Sequence, residues 1–290
     1  MIPEEIKTAI IQQLNGKRKI TFLVGAGLSA ESGIPTFRDK DGYWTSGSKN
    51  YMPQEIGTKK MFDVNSSEVW RWYLYRNSIC RKANPNIGHI SLSKIEKMIP
   101  EKFSLISQNV DGLHFLEESR IENLFLIHGD LRFMRCSEEC TRELFNIPEG
   151  IIGKNWTKES RIPLDDLEKL VCPNCGEMTR PHVLWFDEYY DEPYYHLHKV
   201  LRIAKETGLL FIVGTSGATN LPKLIVENTA NRQGVIIDIN PNENDFTDKL
   251  KKMKNGHYWK STSGIALKSL AEFIEDKIEK QKSIGIRYQT

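Results

Sequence analysis

A short apolar segment followed at once by glycines constrains the fold of this chain more than any other feature. Residues 19–24 (KITFLV) have the composition of a buried β-strand, and Gly25-Ala26-Gly27 follows directly. A strand, a glycine turn and a helix start are typical of nucleotide-binding sheets, where backbone N–H groups approach a pyrophosphate. Ala30 replaces the third glycine of the full fingerprint, and no acidic residue ends a strand about 20 residues later. By itself the turn leaves a nucleotide site and an ordinary tight turn both open.

Further apolar segments repeat this pattern along the chain. They cover residues 103–107, 124–127, 209–213 and 235–239, and polar or glycine-bearing residues follow each of them. Because segments with helical periodicity separate them, we expect an α/β fold with a Rossmann-like parallel sheet. Such sheets bind ligands beyond the carboxyl ends of their strands, where these polar residues fall.

Charge and hydropathy exclude several classes of protein. The 290 residues contain 40 Lys and Arg against 38 Asp and Glu, a net charge of +2, which argues against a dedicated nucleic-acid surface. No apolar segment reaches the roughly 18 residues that a membrane span needs. The first residues include two acids and no small-residue cleavage site, so we expect no secretory signal and a cytoplasmic location. The composition does not predict an oligomeric state.

Four of the five cysteines form two close pairs, which predicts a metal site. Cys136 and Cys140 make the first pair, and Cys172 and Cys175 make the second. An odd number of cysteines, in a chain without an expected export signal, argues against a disulfide framework. Four thiolates bind Zn²⁺ in a closed tetrahedral site, so we expect one structural zinc ion. The fifth cysteine, Cys80, is expected to be a core residue.

These patterns predict a single domain built from three parts. The Rossmann-like part covers approximately residues 1–39, 96–132 and 183–290, with a final helix over about 264–281. Residues 40–95, rich in aromatic side chains and without strand patterns, are expected to form a helical insertion. Residues 133–182 are expected to form the small zinc module.

The residues after the first glycine turn allow a closer comparison. Residues 25–38 (GAGLSAESGIPTFR) resemble the first signature of the sirtuin family of NAD-dependent protein deacylases. Other signatures of that family follow in order at residues 108–114 (QNVDGLH), 128–129 and 214–216, and at Asn240. The resemblance implies a sirtuin catalytic domain that consumes NAD and acylated-lysine proteins. It also implies that the products are nicotinamide, free lysine and an O-acyl-ADP-ribose.

The resemblance also implies the roles of individual residues. His128 would be the catalytic base, a role that suits an imidazole at a strand end, and Asn109 would act beside it. Phe37 would shield the reacting atoms from water, and Arg38 would order the cofactor loop. His114 is the alternative candidate for the base. The residues implied to contact NAD are Gly25, Ala26, Gly27, Ser29, Glu31, Thr36, Phe37, Arg38, Trp44, Gln108, Asn109, Asp111, His128, Gly214, Thr215, Ser216 and Asn240.

A tyrosine and an arginine predict which acyl group is removed. Tyr73 and Arg76 are three residues apart, so they lie on one face of a predicted helix. An aromatic core stripe with an arginine at its edge is the alternative interpretation. The pair is similar to that of class III sirtuins, in which it binds the distal carboxylate of malonyl, succinyl or glutaryl groups. Gly57 stands where those sirtuins carry a small alanine that widens the acyl pocket.

The segment expected to bind the substrate peptide departs from the family pattern. By resemblance, Val183, Trp185 and Phe186 contact the peptide. Asp187 replaces a glycine there and adds bulk and negative charge, which leaves the peptide preference open. The register after residue 216 is altered as well.

Two other functions are compatible with parts of this sequence. An ADP-ribosyltransferase or NAD hydrolase could use the same fold, but it would not need the carboxylate-binding pair. A zinc-ribbon module that binds a partner would leave the NAD motifs unexplained. We therefore predict an NAD-dependent deacylase that removes succinyl, malonyl and also acetyl groups.

Overall fold

A six-stranded parallel sheet organises the larger part of the molecule. The structure, a computed structural model, describes residues 1–36, 51–115 and 123–283. In their order across the sheet, the strands are β3 (Leu124–Leu126), β2 (Phe103–Ser107), β1 (Lys19–Val24), β7 (Thr207–Val213), β8 (Val235–Asn240) and β9 (Gly256–Lys260). All neighbouring strands pair in parallel. The order runs outward in both directions from β1 and β7, so the carboxyl ends of these two strands mark the switch point where such sheets bind ligands.

Helices cover both faces of this sheet. One face carries α1 (Glu4–Asn15), α5 (Ile87–Met98) and α12 (Ser263–Ser283), and the other carries α9 (Leu197–Glu206), α10 (Asn220–Asn231) and α11 (Asp245–Leu250). An apolar core lies between the sheet and the helices on each face. Side chains of β1 alternate between these two cores: Phe22 and Val24 belong to the core on the α1 face, and Leu23 belongs to the core on the α9 face. Burial on both faces explains why the strand has apolar residues throughout.

The predicted fold class is confirmed, and some strand bounds agree with the prediction. β1 and β2 begin and end at the predicted residues. The edge strand β9 was not predicted, because Gly256, His257 and Lys260 interrupt its apolar character. An edge strand has fewer neighbours to bury it, so it needs less apolar surface than a central one.

A smaller part packs beside the large sheet. Its antiparallel sheet contains β5 (Phe145–Asn146), β4 (Gly129–Cys136) and β6 (Thr179–Val183). The other helices are α2 (Ala26–Ala30), α3 (Pro53–Ile56), α4 (Lys59–Cys80), α6 (Glu149–Ile152), α7 (Leu164–Leu167) and α8 (Glu192–Tyr195). Trp70, Trp72 and Trp185 lie in a third apolar core, which joins α4 to this smaller sheet. The backbone of α4 leaves helical geometry at Asn65.

Two segments pack differently from the predicted division into parts. The helix α5 lies partly within the predicted insertion, yet its Leu92 and Ile95 belong to the core of the parallel sheet. The strand β4 begins at Gly129, which pairs with Val183, so the smaller sheet extends beyond residues 133–182. The exact boundaries of the three parts stay a prediction. Within the described ranges, no helix combines the length and apolarity needed to cross a bilayer.

Three histidines are buried at positions where burial disfavours the charged imidazolium. Burial lowers the pKa of His89 and of His114 to about 4, and the charge of His114 also acts on His89. Burial, together with Arg135 and Arg180, lowers the pKa of His182 to about 3. These side chains therefore stay neutral in the folded protein down to acidic pH.

We expect the stability of the protein to fall as the pH drops from about 6.5 towards 4. In that window the unfolded chain binds protons at these histidines and the folded chain does not, so protonation favours unfolding. Burial lowers the pKa of His128 to about 4 as well, so four such groups give a maximal slope of about 5 kcal/mol per pH unit. Equilibrium urea unfolding between pH 7 and pH 4.5 measures this slope.

The variant His182→Phe should reduce the slope by about a quarter, because it removes one of four titrating groups. His198, which is 79% exposed, offers the matched control, and His198→Gln should leave the slope unchanged. A stability that is constant between pH 7 and pH 5 would contradict the assignment.

Candidate active site

Two turns at the carboxyl edge of the large sheet contact each other through their backbones. The Gly25 N–H, just after β1, donates to the carbonyl oxygen of Val213 at 3.0 Å. The Gly27 N–H donates to the carbonyl oxygen of Gly214, just after β7, at 2.8 Å. A Cβ atom on Gly27 would lie 2.6 Å from the Cα of Gly214, and Gly214 itself has a φ of +61°. The contact therefore requires glycine at both positions.

Three predicted site residues form one hydrogen-bonded group beside the first turn. The Asn109 Nδ2 donates to Ser29 Oγ and to the carbonyl oxygen of Gly25, both at 3.1 Å. The Ser29 Oγ donates to Asp111 Oδ2 at 2.7 Å. Asp111 also accepts the N–H of Leu113 at 3.0 Å. The loop after β2 is thus held against the start of α2.

Gln108 connects the same loop to the second turn. Its Nε2 donates to Thr215 Oγ1 at 2.9 Å and to the carbonyl oxygen of Val24 at 3.3 Å. Because a carbonyl oxygen can only accept, these contacts define the orientation of the amide. The Gln108 Oε1 accepts a hydrogen bond from Thr219 Oγ1 at 3.3 Å. Asn240 joins the group, since its Nδ2 donates to the Thr215 carbonyl oxygen at 3.3 Å.

His128 lies just after β3, and both of its ring nitrogens have partners. Nδ1 lies 3.0 Å from the carbonyl oxygen of Gln108, and Nε2 lies 2.9 Å from the hydroxyl of Tyr190. The carbonyl oxygen can only accept, so Nδ1 carries the hydrogen and Nε2 carries the lone pair. Burial lowers the pKa of His128 to about 4, against the opposite effect of the Gln108 carbonyl. The imidazole is therefore neutral near pH 7 and can accept a proton at Nε2.

The other residues predicted to contact NAD lie at several different positions. Glu31 accepts the N–H of Gly264 at 2.9 Å, so its carboxylate stabilises the start of α12. Ala26 is the first residue of α2, Ser216 follows Thr215, and Thr36 ends the first described segment. Three predicted residues lie outside the described residues: Phe37, Arg38 and Trp44.

The predicted acyl-binding pair lies on α4, after its bend. Tyr73 is 3% exposed and Arg76 is 6% exposed. The next side chain, Asn77, donates to the carbonyl oxygen of Leu131 at 2.8 Å, which holds this part of α4 against β4. Both predicted residues are thus buried close to the strand that follows His128.

The predicted peptide-binding segment contacts the start of α4. The Phe186 N–H donates to the Gly57 carbonyl oxygen at 2.9 Å. A Cβ atom on Gly57 would lie 3.1 Å from the Phe186 ring, so glycine allows this close packing. Asp187 accepts the N–H groups of Lys59 and Lys60 at 2.8 and 3.2 Å. Its charge therefore caps the N-terminus of α4.

Val183 and Trp185 are less accessible than Phe186. Val183 ends β6, and its side chain is buried. The guanidinium of Arg180 lies 3.4 Å from the centre of the Trp185 ring, and the Phe62 ring packs at 5.3 Å. Phe186 is 43% exposed, so it offers the accessible surface of this segment.

The four paired cysteines converge in the smaller part. Cys136 Sγ lies 3.6 Å from Cys175 Sγ, and Cys140 Sγ lies 3.6 Å from Cys172 Sγ. All four sulfur atoms are within 4.8 Å of one another. Tetrahedral zinc with bonds of about 2.3 Å requires sulfur atoms about 3.8 Å apart, so the cluster fits a structural Zn²⁺. Cys80 is buried in the third core, as predicted.

Sequence reasoning missed three residues of this site. Tyr190 contacts His128, and Thr219 contacts Gln108, although neither belongs to a motif. The buried Asp238 of β8 accepts hydrogen bonds from Asn240, Asn244 and Thr247. The sequence indicated Asp238 as a site residue only through its position on a predicted strand, two residues before Asn240.

Comparison with known proteins agrees with this geometry. Residues 25–220 match the Sir2 family. An NAD-dependent protein deacylase of Leptospira interrogans serogroup Icterohaemorrhagiae serovar Lai is 35% identical over 251 residues, 87% of this chain and 93% of that protein. An NAD-dependent protein deacylase of Aquifex aeolicus is 35% identical over 262 residues, 89% of this chain and 96% of that protein. A solved structure described as a Sir2 homolog–NAD complex has a TM-score of 0.76 at 28% identity, covering 96% of this chain and 95% of that one.

The fold and the site together define an NAD-binding α/β protein with a tetrahedral cysteine cluster. The glycine turns lie at the switch point of the sheet, and the amides and hydroxyls around them fit a dinucleotide. The chain belongs to the Sir2 family.

Removing one cysteine ligand should remove the zinc ion and destabilise the protein. In Cys172→Ala three thiolates remain, which no longer complete the closed tetrahedral site. We expect zinc content to fall from one to nearly zero per chain, with a lower melting temperature. Elemental analysis and calorimetry measure the two effects.

The buried Cys80 supplies the control for this experiment. Cys80→Ala removes a thiol of the third core without touching the cluster, so one zinc per chain should remain. Full zinc occupancy in Cys172→Ala would contradict the proposed ligand set.

Proposed function

We propose that this NAD-dependent protein deacylase removes succinyl and malonyl groups, and acetyl groups as well, from protein lysines. The products would be the free lysine, nicotinamide and an O-acyl-ADP-ribose. The observation that carries the acyl preference is the burial of Arg76 on α4, three residues after the buried Tyr73. The membership of the chain in the Sir2 family supports the deacylase reaction itself.

The surroundings of Cys80 support the location of Arg76. Burial raises the pKa of the Cys80 thiol to about 12, and Asp111 raises it further, whereas Arg76 lowers it. Asp111 and Arg76 are thus both close enough to the thiol to shift its pKa. Asp111 belongs to the hydrogen-bonded group with Asn109, so its effect on the same thiol supports a position of Arg76 near the NAD-binding loop.

A phenol and a guanidinium in this position suit a carboxylate. Both groups donate hydrogen bonds, and the guanidinium also neutralises the negative charge that burial would otherwise disfavour. Charge-assisted hydrogen bonds contribute about 1.5–3 kcal/mol, enough to favour an acyl group with a distal carboxylate over acetyl by tenfold or more. Tyr73 and Arg76 therefore account for an acidic acyl preference.

The residues around His128 support the chemistry of acyl transfer. NAD supplies, when bound, the ribose that receives the acyl group as nicotinamide leaves. The Gln108 carbonyl oxygen holds the Nδ1–H of His128, so that Nε2 is the atom that accepts a proton from a hydroxyl. Asn109 and Ser29 offer polar groups for orientation at the same edge. The tight packing of Gly57 against Phe186 brings the peptide-binding segment next to the helix that carries Arg76.

Replacing Arg76 should change acyl selectivity. In Arg76→Met the distal carboxylate loses its cationic partner, so succinyl-peptide turnover should fall at least tenfold, whereas acetyl-peptide turnover changes little. Mass spectrometry of a panel of acetyl, malonyl, succinyl and glutaryl peptides with NAD measures both rates.

Arg81 offers a matched control near the end of the same helix. It is 42% exposed and pairs with Glu149 at 3.5 Å, so Arg81→Met should not affect the succinyl-to-acetyl ratio. Equal losses on both peptides in Arg76→Met would overturn the acyl preference. Rapid nicotinamide release from NAD without any acylated peptide would instead favour an NAD hydrolase.

The pH profile should reflect the neutral state of His128. Because its pKa is about 4, kcat/KM should be nearly constant from pH 8 down to about 6, without the decline at pH 6.5 that an ordinary histidine causes. The variant His128→Ala should lose at least a hundredfold in lysine release. Wild-type activity in His128→Ala would contradict its role as the base.

A further inference from the structure

Tyr190 contacts the catalytic base although it belongs to none of the motifs. It lies in the segment between β6 and α8, and its hydroxyl is 2.9 Å from His128 Nε2. The two rings are 5.8 Å apart between centres, inclined by 33°. Since Nδ1 carries the hydrogen, the Tyr190 hydroxyl donates to the lone pair of Nε2.

The contact continues beyond Tyr190 through two further side chains. Thr219 lowers the pKa of Tyr190, so the two hydroxyls are neighbours, and because Tyr190 donates to His128 and Thr219 donates to Gln108, the Thr219 oxygen is left as an acceptor. Thr219 Oγ1 in turn donates to Gln108 Oε1 at 3.3 Å. Gln108 Oε1 is a fixed acceptor because its Nε2 already donates to Thr215 and to Val24. A chain of two rotatable hydroxyls therefore leads from Nε2 to an amide oxygen.

No carboxylate among the described residues hydrogen-bonds to either ring nitrogen of His128. Nδ1 contacts the carbonyl oxygen of Gln108, and Nε2 contacts the hydroxyl of Tyr190. A protonated imidazole at this buried position needs a hydrogen-bond acceptor for its new N–H, or the unsatisfied group destabilises it. Hydroxyl groups can fill this role because they both donate and accept.

We propose that Tyr190 is a positioning residue for His128, and that Tyr190, Thr219 and Gln108 together stabilise the imidazolium. When Nε2 takes up a proton, the Tyr190 oxygen accepts the new N–H. The Tyr190 hydrogen then turns to Thr219, whose hydrogen points to Gln108 Oε1. The N–H bond forms as the O–H bond of the reacting substrate hydroxyl breaks, whereas Tyr190 and Thr219 only rotate their hydroxyls, so the positive charge stays on the imidazole. The role of this chain in turnover rests on the proposed deacylase function.

The titration of the two rings agrees with this arrangement. Burial raises the pKa of Tyr190 to about 12, although Thr219 partly opposes it, so the phenol keeps its hydrogen. Burial lowers the pKa of His128 to about 4. The partners of the two ring nitrogens among the described residues are a carbonyl and a hydroxyl, so the acceptor that the imidazolium needs comes from the hydroxyl chain.

A spectroscopic measurement without NAD tests the contact directly. The ¹⁵N resonance of His128 Nε2 at pH 7.5 should move downfield in Tyr190→Phe, because the lone pair loses its donor. The neighbouring Tyr189 is 92% exposed, so Tyr189→Phe is the matched control and should leave the resonance unchanged. An unchanged resonance in Tyr190→Phe would overturn the proposal.

A single-turnover experiment with NAD and a succinyl peptide tests the role of the chain. The base acts after nicotinamide leaves, so Tyr190→Phe should release nicotinamide at the wild-type rate but free lysine about tenfold more slowly. Thr219→Val keeps the β-branched shape and should slow lysine release in the same direction. It also serves as the test if Tyr190→Phe fails to fold.

Failure of this proposal and failure of the proposed function would give different results in these experiments. Lysine release that is unchanged or faster in Tyr190→Phe would overturn the proposal, since the hydroxyl would then only obstruct Nε2. A parallel loss of nicotinamide and lysine release would overturn it as well, because it indicates a general structural role. If the wild-type protein releases no nicotinamide with any acyl peptide, the proposed function fails, while the ¹⁵N measurement still decides the contact.

Discussion

The site depends on the backbone contact between the turns that follow β1 and β7. Gly27 and Gly214 approach so closely that neither tolerates a side chain. This contact holds the carboxyl ends of the two central strands together at the point where the strand order reverses. Thr215 follows directly, and it is the residue through which Gln108 and Asn240 are joined. A shift of either turn would therefore disturb the hydrogen bonds of Gln108 and Asn240, and through Gln108 the position of His128.

Around that contact the site relies on neutral groups. Amides and hydroxyls form most of the hydrogen bonds, and the imidazole of His128 is neutral because burial disfavours its charged form. In a poorly solvated site, fixed dipoles interact strongly and need little reorganisation when a charge develops. The proposed link from Tyr190 to Gln108 applies the same principle to protonation of His128. A buried carboxylate in the same place would itself require compensation.

The residues proposed to bind the acyl group and the peptide belong to the smaller part of the molecule. Its helix α4 carries Tyr73 and Arg76, and Asp187 caps the start of that helix. Asp187, which replaces a glycine of the family pattern in the predicted peptide-binding segment, therefore has a structural role. The cysteine cluster ties Cys136 at the end of β4 to the segment before β6. Zinc binding would thereby stabilise the small sheet that leads from His128 to Phe186.

The sequence by itself determined the parallel sheet, the glycine turns and the four cysteine ligands. These features depend on local composition and spacing, so β1 and β2 could be predicted to the residue. Only the tertiary structure decided that Tyr190 meets His128, that Glu31 caps α12, and that α5 joins the large core. Each of these contacts joins residues far apart in the chain, or selects one face of a helix that suits two neighbours. These contacts depend on how the helices and strands pack against one another, and the local periodicity of the sequence does not predict that packing.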